Sequence, residues 1–248
     1  MTAVFVHGVP ETHRVWDGVR HHLAQKDTKA LALPGFGSPV PPGFGSTMDE
    51  YADWVTAELE QLVGGDGPVD LVGHDWGGAF TFRVVSTRPD LVRTWVTDAA
   101  GLADPDFVWH DFATLWQTPG DGEAFFAQQL ATPVTERATP FTTLFAVPEA
   151  EARDLVAQLD QQMADSILAL YRSATAVNKE WGPAFEAVPK PGLVIVPNRD
   201  PFLVSAAATR AGTRAGATVR ELDGLGHWWI LQDPVGAAQL FEEFWASA

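Results

Sequence analysis

The sequence predicts an α/β protein: a mostly parallel sheet of about six strands, helices on both faces, and an all-helical insertion between two of the strands. Three observations predict it. Short apolar runs alternate with helical patterns over residues 2–97 and again over 192–245. Between about 102 and 185 that alternation stops and only helical patterns remain. The apolar run at 69–72 opens directly into Gly73-His74-Asp75-Trp76-Gly77-Gly78, which reads as strand, sharp turn and helix.

Residues 2–6 form the first strand, closed by His7-Gly8-Val9-Pro10, and a helix follows over about 12–24. Residues 30–33 are a second strand, stopped by Pro34-Gly35, and the Gly- and Pro-rich stretch 35–46 is loop. Thr47 and Glu50 make a capping box, after which Tyr51, Val55, Leu59 and Leu62 recur at helical spacing until Gly64-Gly65. The turn at Asp75 leads into a helix ending near Thr87, before Pro89, and 93–97 is the next strand. The insertion carries helical patterns over 106–117, 123–130, 149–159 and 163–177, punctuated by Pro119, Pro133, Pro140 and Pro148. A strand returns at 192–197, a helix covers about 205–215, and 218–222 is the last strand. Asp233-Pro234 is an N-cap and first-turn pair for a final helix over 235–245. The chain therefore divides into a main domain, 1–101 with 186–248, and a helical lid, 102–185.

Composition narrows the function. Apolar residues make up 46% and charged residues 19%, ordinary values for a globular chain. No apolar run is long enough to span a bilayer, and the start MTAVFVHG lacks a basic segment followed by an apolar signal core. Without Cys there is no disulfide framework, thiolate metal site or Cys nucleophile, which fits a cytoplasmic location. The net charge of −16 disfavours nucleic acid and anionic membranes as partners. The expected partners are a small apolar substrate and water, with the chain a monomer or a homodimer; no metal or organic cofactor is expected.

Four features carry chemistry. Gly73-His74-Asp75-Trp76-Gly77 has the form Gly-x-nucleophile-x-Gly with Asp at its centre. A carboxylate is a poor acyl-transfer nucleophile, but it can displace a leaving group at an sp3 carbon and form an enzyme ester. The turn thus points to epoxide opening or halide displacement. His227, in the Gly-rich loop after the last strand, is the candidate base. Asp200, past the end of strand 192–197, is placed to orient it, and Asp98 at another strand end is the alternative acid. The amides of Val9 and Trp76 are candidates for an oxyanion hole.

HGVP, GHDWGG, NRD and GHWW occur in the order nucleophile, acid, base, on loops after strands. In this the chain resembles the α/β-hydrolase superfamily, and within it the epoxide hydrolase and haloalkane dehalogenase branch, whose nucleophile is Asp. The resemblance implies the α/β-hydrolase fold. Members usually have two strands before the one leading to HG-x-P, and this chain begins on that strand, so strand 30–33 is expected at an edge open to pairing. It also implies a ring-opening Tyr in the lid, and Tyr171 of Tyr171-Arg172 matches that motif. Two such donors are usual, and His110 is the possible second. Haloalkane dehalogenases hold the halide with the Trp after the nucleophile and a second donor; Trp76 fits, Val9 stands where Asn is common, and Trp109 and Trp116 are candidate pocket residues. The resemblance favours hydrolysis of an apolar epoxide to a vicinal diol. Halide release from a haloalkane is the alternative, and a non-catalytic binding protein on the same fold is a third reading.

Overall fold

The computed structural model describes residues 2–248. Strands β1 (Ala3–Val6), β2 (Thr28–Leu31), β3 (Val69–Gly73), β4 (Val92–Thr97), β5 (Gly192–Pro197) and β6 (Thr218–Leu222) pair in parallel in the order β2-β1-β3-β4-β5-β6. The edge position expected for the second strand is where β2 lies. Its bounds are two residues earlier than the apolar pattern suggests, because Thr28 and Lys29 pair with Ala3 and Val4 while remaining half-exposed.

Both faces of the central sheet are covered, so β1 and β5 read as continuous apolar runs, while the edge strands β2 and β6 carry polar residues and stay partly exposed. Successive side chains still alternate. Ala3, Phe5, Val72, Val96, Leu193 and Ile195 face one cluster, and Val4, Val6, Leu71, Trp95, Val194 and Val196 face the other. The first cluster is closed by α1 (Asp17–His22) and by α12 (Pro234–Ser247), through Val19 and Phe241. The second is closed by α2 (Met48–Asp66), α3 (Trp76–Thr87) and α10 (Ser205–Ala215), through Val55, Leu59, Phe80 and Ala211.

Between β4 and β5 the chain forms α4 (Asp111–Gln117), α5 (Asp121–Ala131), α6 (Val134–Thr143), α7 (Glu149–Ala157), α8 (Gln161–Ser173) and α9 (Val177–Glu180). Met163, Ile167 and Tyr171 of α8 join the core that backs the sheet. Ala138, Val147, Ala152, Leu155 and Val156 form a smaller cluster on Trp228. A short helix α11 (Trp229–Gln232) precedes α12.

Several boundaries differ from the sequence pattern. The capping box at Thr47 and Glu50 forms, but α2 runs through Gly64-Gly65 and stops at Gly67, whose φ of 80° suits glycine. The helix expected from 106 begins only at Asp111, because the His110 side chain caps it by accepting from the Ala113 amide. The pattern over 163–177 breaks after Ser173. Helix α6 lies where Pro140, inside it, argues against a helix; Pro133 precedes its first residue, where proline is tolerated.

Candidate active site

The strand order places the change in winding direction at β1, with β2 on one side and β3 on the other. The carboxyl ends of β1 and β3 bound the crevice where parallel α/β sheets gather their sites. Residues 7–9 leave one strand there and Asp75 leaves the other.

Asp75 has φ 52° and ψ −123°, a conformation that costs a non-glycine residue of order 1–3 kcal/mol. It is fixed from both sides. Its own amide donates to Asp98 Oδ1 at 2.8 Å, and its Oδ1 accepts from the Val9 amide at 2.8 Å. The close approach dictates the neighbours: a Cβ on Gly8 would lie 2.3 Å from Asp75 Oδ1, and one on Gly77 would lie 2.1 Å from the Val6 carbonyl oxygen. The Trp76 amide opens α3, where an amide has no carbonyl one turn earlier to bond. The Val9 amide already bonds Asp75 Oδ1, and the Trp76 amide belongs to the next residue along the chain.

Asp75 Oδ2 lies 3.7 Å from His227 Nε2, beyond hydrogen-bond length, and His227 Nδ1 lies 2.8 Å from Asp200 Oδ2. Asp200 is itself held, since its Oδ1 accepts from the Phe202 amide at 2.7 Å. Burial pushes Asp75 up to about 6, against the pull of His227, His74 and the Val9 amide. Burial also pulls His227 down, but the charge and hydrogen bond of Asp200 outweigh it and leave the imidazole above its ordinary value.

Asp98 does not touch His227. It sits behind the turn, where it holds the Asp75 amide, His74 Nδ1 at 2.5 Å and Trp229 Nε1 at 2.8 Å. The carboxylate in hydrogen-bond contact with His227 is Asp200, and the place of Asp98 exposes a group the sequence reading missed. His74 Nε2 lies 3.1 Å from Glu11 Oε1, whose other contacts are the Trp228 indole N–H at 2.6 Å and the Gly8 amide at 3.2 Å from Oε2. Glu11, His74 and Asp98 are all nearly sealed from solvent. Burial opposes every charge in the trio, yet the two carboxylates raise His74 well above its usual value and the imidazolium lowers both carboxylates. The turn at Asp75 therefore rests on a buried carboxylate–imidazolium–carboxylate chain. His74 lies in the motif, but nothing local marks Glu11 as its partner.

The cavity above Asp75 is lined by Val9, Pro10, His227 and Trp228 from the sheet side. From the insertion come Trp116, Phe125, Phe126, Phe141, Leu155 and Tyr171, among others. Tyr171 is 3% exposed and stands edge-on to Trp76 and Trp116, with ring centroids 5.6 and 4.9 Å away. Burial and the Asp75 charge raise its phenol well above the ordinary value, against a hydrogen bond from the Trp76 side chain. The other tyrosine, Tyr51, spends its hydroxyl on the Pro34 carbonyl at 2.7 Å.

His110 lines the same cavity, 6.4 Å from Tyr171 between ring centroids. Its Nδ1 accepts from the Ala113 amide at 3.1 Å, so a neutral ring carries its proton on Nε2. Burial pulls it down to about 4, with the His227 charge acting the same way. The two Trp candidates separate. Trp116 lines the cavity and its indole N–H is covered without an acceptor. Trp109 instead packs flat on Trp76 and donates its N–H to the Ala174 carbonyl at 3.2 Å, which removes it as a ligand donor. Arg137 and Gln129 also line the cavity, and neither was singled out in the sequence. Leu155 borders both this cavity and a separate surface groove that reaches Glu11, Arg14 and Asp154.

A strained acidic turn after β3, a His after β6 and a carboxylate after β5 on one sheet define an α/β-hydrolase. The chain belongs to the alpha/beta hydrolase family, which matches residues 3–240. It is 38% identical over 101 residues to lipase LipV of Mycobacterium tuberculosis, covering 40% of this chain and 35% of that one. It is 28% identical over 166 residues to a haloalkane dehalogenase of Mesorhizobium japonicum, covering 60% of this chain and 50% of that one. The aligned stretches thus span no more than half of either relative. The epoxide hydrolase VrEH1 of Vigna radiata superposes over 100% of this chain and 91% of its own, with a TM-score of 0.77 and 19% identity, a likeness of fold. Among the described residues no helix is long and apolar enough to cross a membrane.

Proposed function

We propose that the protein hydrolyses an epoxide to a vicinal diol through a covalent ester on Asp75, with helices α4–α9 acting as the lid. The observation that carries this reading is the carboxylate at the strained turn, one oxygen on the Val9 amide and the other facing a His227–Asp200 pair. Asp75 Oδ2 attacks an epoxide carbon, the C–O bond breaks, and the Tyr171 hydroxyl gives its proton to the departing oxygen. Its raised affinity keeps that proton in place until the departing oxygen develops negative charge. His110, which lines the cavity and carries its proton on Nε2, is the second donor. His227 Nε2 then takes a proton from water as the water attacks the ester carbonyl. The Val9 and Trp76 amides hold the oxyanion; collapse expels the diol alkoxide, which takes the proton from His227, and the remaining proton of the attacking water returns to Tyr171, leaving the Asp75 carboxylate and the free diol.

A single turnover in labelled water should place the label in Asp75; label appearing directly in the first-turnover diol overturns the covalent route. His227→Gln should accumulate the ester as a mass adduct on the peptide carrying Asp75.

One observation favours a second reading. The unpartnered Trp116 indole in the cavity could hold a departing halide. The matched haloalkane and epoxide, scored for halide and for diol, separate the two. An acyl-transfer reaction like that of a lipase is disfavoured by Asp in place of Ser at position 75. A pure binding role predicts that Asp75→Ala keeps full biological activity.

A further inference from the structure

We infer that Arg137 is a recognition site for a carboxylate carried by the substrate, so that the preferred substrate is an amphipathic epoxy acid rather than a wholly apolar epoxide. The inference rests on the reading of Asp75 above for the reacting group, and on separate residues for the anion.

Helix α6 turns Arg137, Pro140 and Phe141 onto the cavity, the spacing of one helical face. Arg137 Nε and Nη1 are both covered and meet no acceptor. Among the described residues no carboxylate pairs with this guanidinium, although the chain holds 32 acidic residues against 16 basic ones. The contrast with other arginines is direct. Arg93, Arg172 and Arg214 each leave a covered Nε without an acceptor, but each pairs another nitrogen with Asp70, Glu123 or Asp104. A guanidinium covered on two nitrogens without an acceptor is costly in an apolar lining. A planar carboxylate matches its fork with two parallel hydrogen bonds. Gln129, on the lining face of α5 one turn beyond Phe125 and Phe126, adds an amide to the same wall. The reacting groups Asp75 and His227 come from the sheet side, while Arg137 and Gln129 come from the insertion. The apolar walls between them, including Trp116, Phe141 and Leu155, suit a hydrocarbon spacer.

The test has two arms. Octanoate and octanamide are titrated into the wild-type protein and into Arg137→Met and Arg137→Gln, with binding read by tryptophan fluorescence and folding by circular dichroism. Octanoate should bind the wild type about ten- to a hundredfold more tightly than octanamide, the worth of a charge-assisted pair, and both variants should lose that preference. Equal binding of the two probes by the wild type, or a preference that survives in a folded variant, overturns the site. In the second arm, terminally epoxidised octanoic acid and its methyl ester are compared for diol formation. The wild-type kcat/KM ratio should favour the acid, and the ratio should collapse toward one in the variants. Arg137-dependent binding of octanoate with no diol from either compound would sink the epoxide reading and leave the anion site standing. Equal diol from both, with no preference for octanoate, would do the reverse.

Discussion

Asp75 carries two demands that oppose each other. In the proposed reaction it must be ionised to attack carbon, yet it lies in a cavity whose burial pushes it up to about 6. The sign follows from the acid: above that value the carboxylate is the majority form, and below it the nucleophile is protonated and idle. The kcat/KM for ester formation is therefore expected to fall tenfold per unit below pH about 6, measured by stopped-flow under single-turnover conditions. Asp75→Asn should abolish it. His227 must be neutral to take a proton, and Asp200 holds its value above the ordinary one. The hydrolytic half-reaction should then lose rate at higher pH than ester formation does, so ester should build up on the acid side of neutrality. Tyr171 must keep its proton, and with its value raised well above 10 no alkaline loss from this group is expected through pH 10. Asp75, His227 and Asp200 were legible in the sequence because glycines and strand ends mark their backbone positions. Asp98 was not separable from Asp200 that way. Both follow strands, and only the direction of the side chain assigns one to His227 and the other to His74.

The turn after β3 rests on the trio beneath it, through the hydrogen bond from the Asp75 amide to Asp98. His74 reaches 63 residues back to Glu11 and 24 forward to Asp98, contacts that no local pattern encodes. Its folded value is raised, so its stabilisation is complete below the ordinary value of 6.5 and is lost only as pH rises through the higher folded one. Glu11 and Asp98 are lowered, so theirs is present above their ordinary values and is lost as pH falls through the folded ones. His74→Leu should cost about 3–5 kcal/mol in urea unfolding at neutral pH, because it leaves two buried carboxylates without a cation. The gap to wild type should narrow toward acid pH, where those carboxylates take up protons; an unchanged midpoint at pH 7 would dismiss the trio as a support. Among the helices, α2, α10 and α12 were readable from caps and spacing. Helix α6 was not, since Pro140 argues locally against the helix that packing onto Trp228 and the cavity imposes. The same concealment hid Arg137.

A chain with net charge −16 repels anions at long range, while a guanidinium inside the cavity attracts them at short range. Salt screens the first more than the second, because the Debye length is about 8 Å at physiological ionic strength and buried pairs are screened least. For an epoxy acid, kcat/KM should rise about two- to fivefold from 10 mM to 150 mM salt, as repulsion on approach is screened. For its ester it should stay flat. Leu155 has a further consequence. Its side chain borders both the hydrophobic chamber over Asp75 and the acidic groove beside Arg14 and Asp154. It is a party wall that the two share. Leu155→Ala would knock a back door through it and turn a blind alley into a corridor. Water would then reach the ester by a second street: ester lifetime should shorten in quenched-flow traces while the rate of ester formation holds.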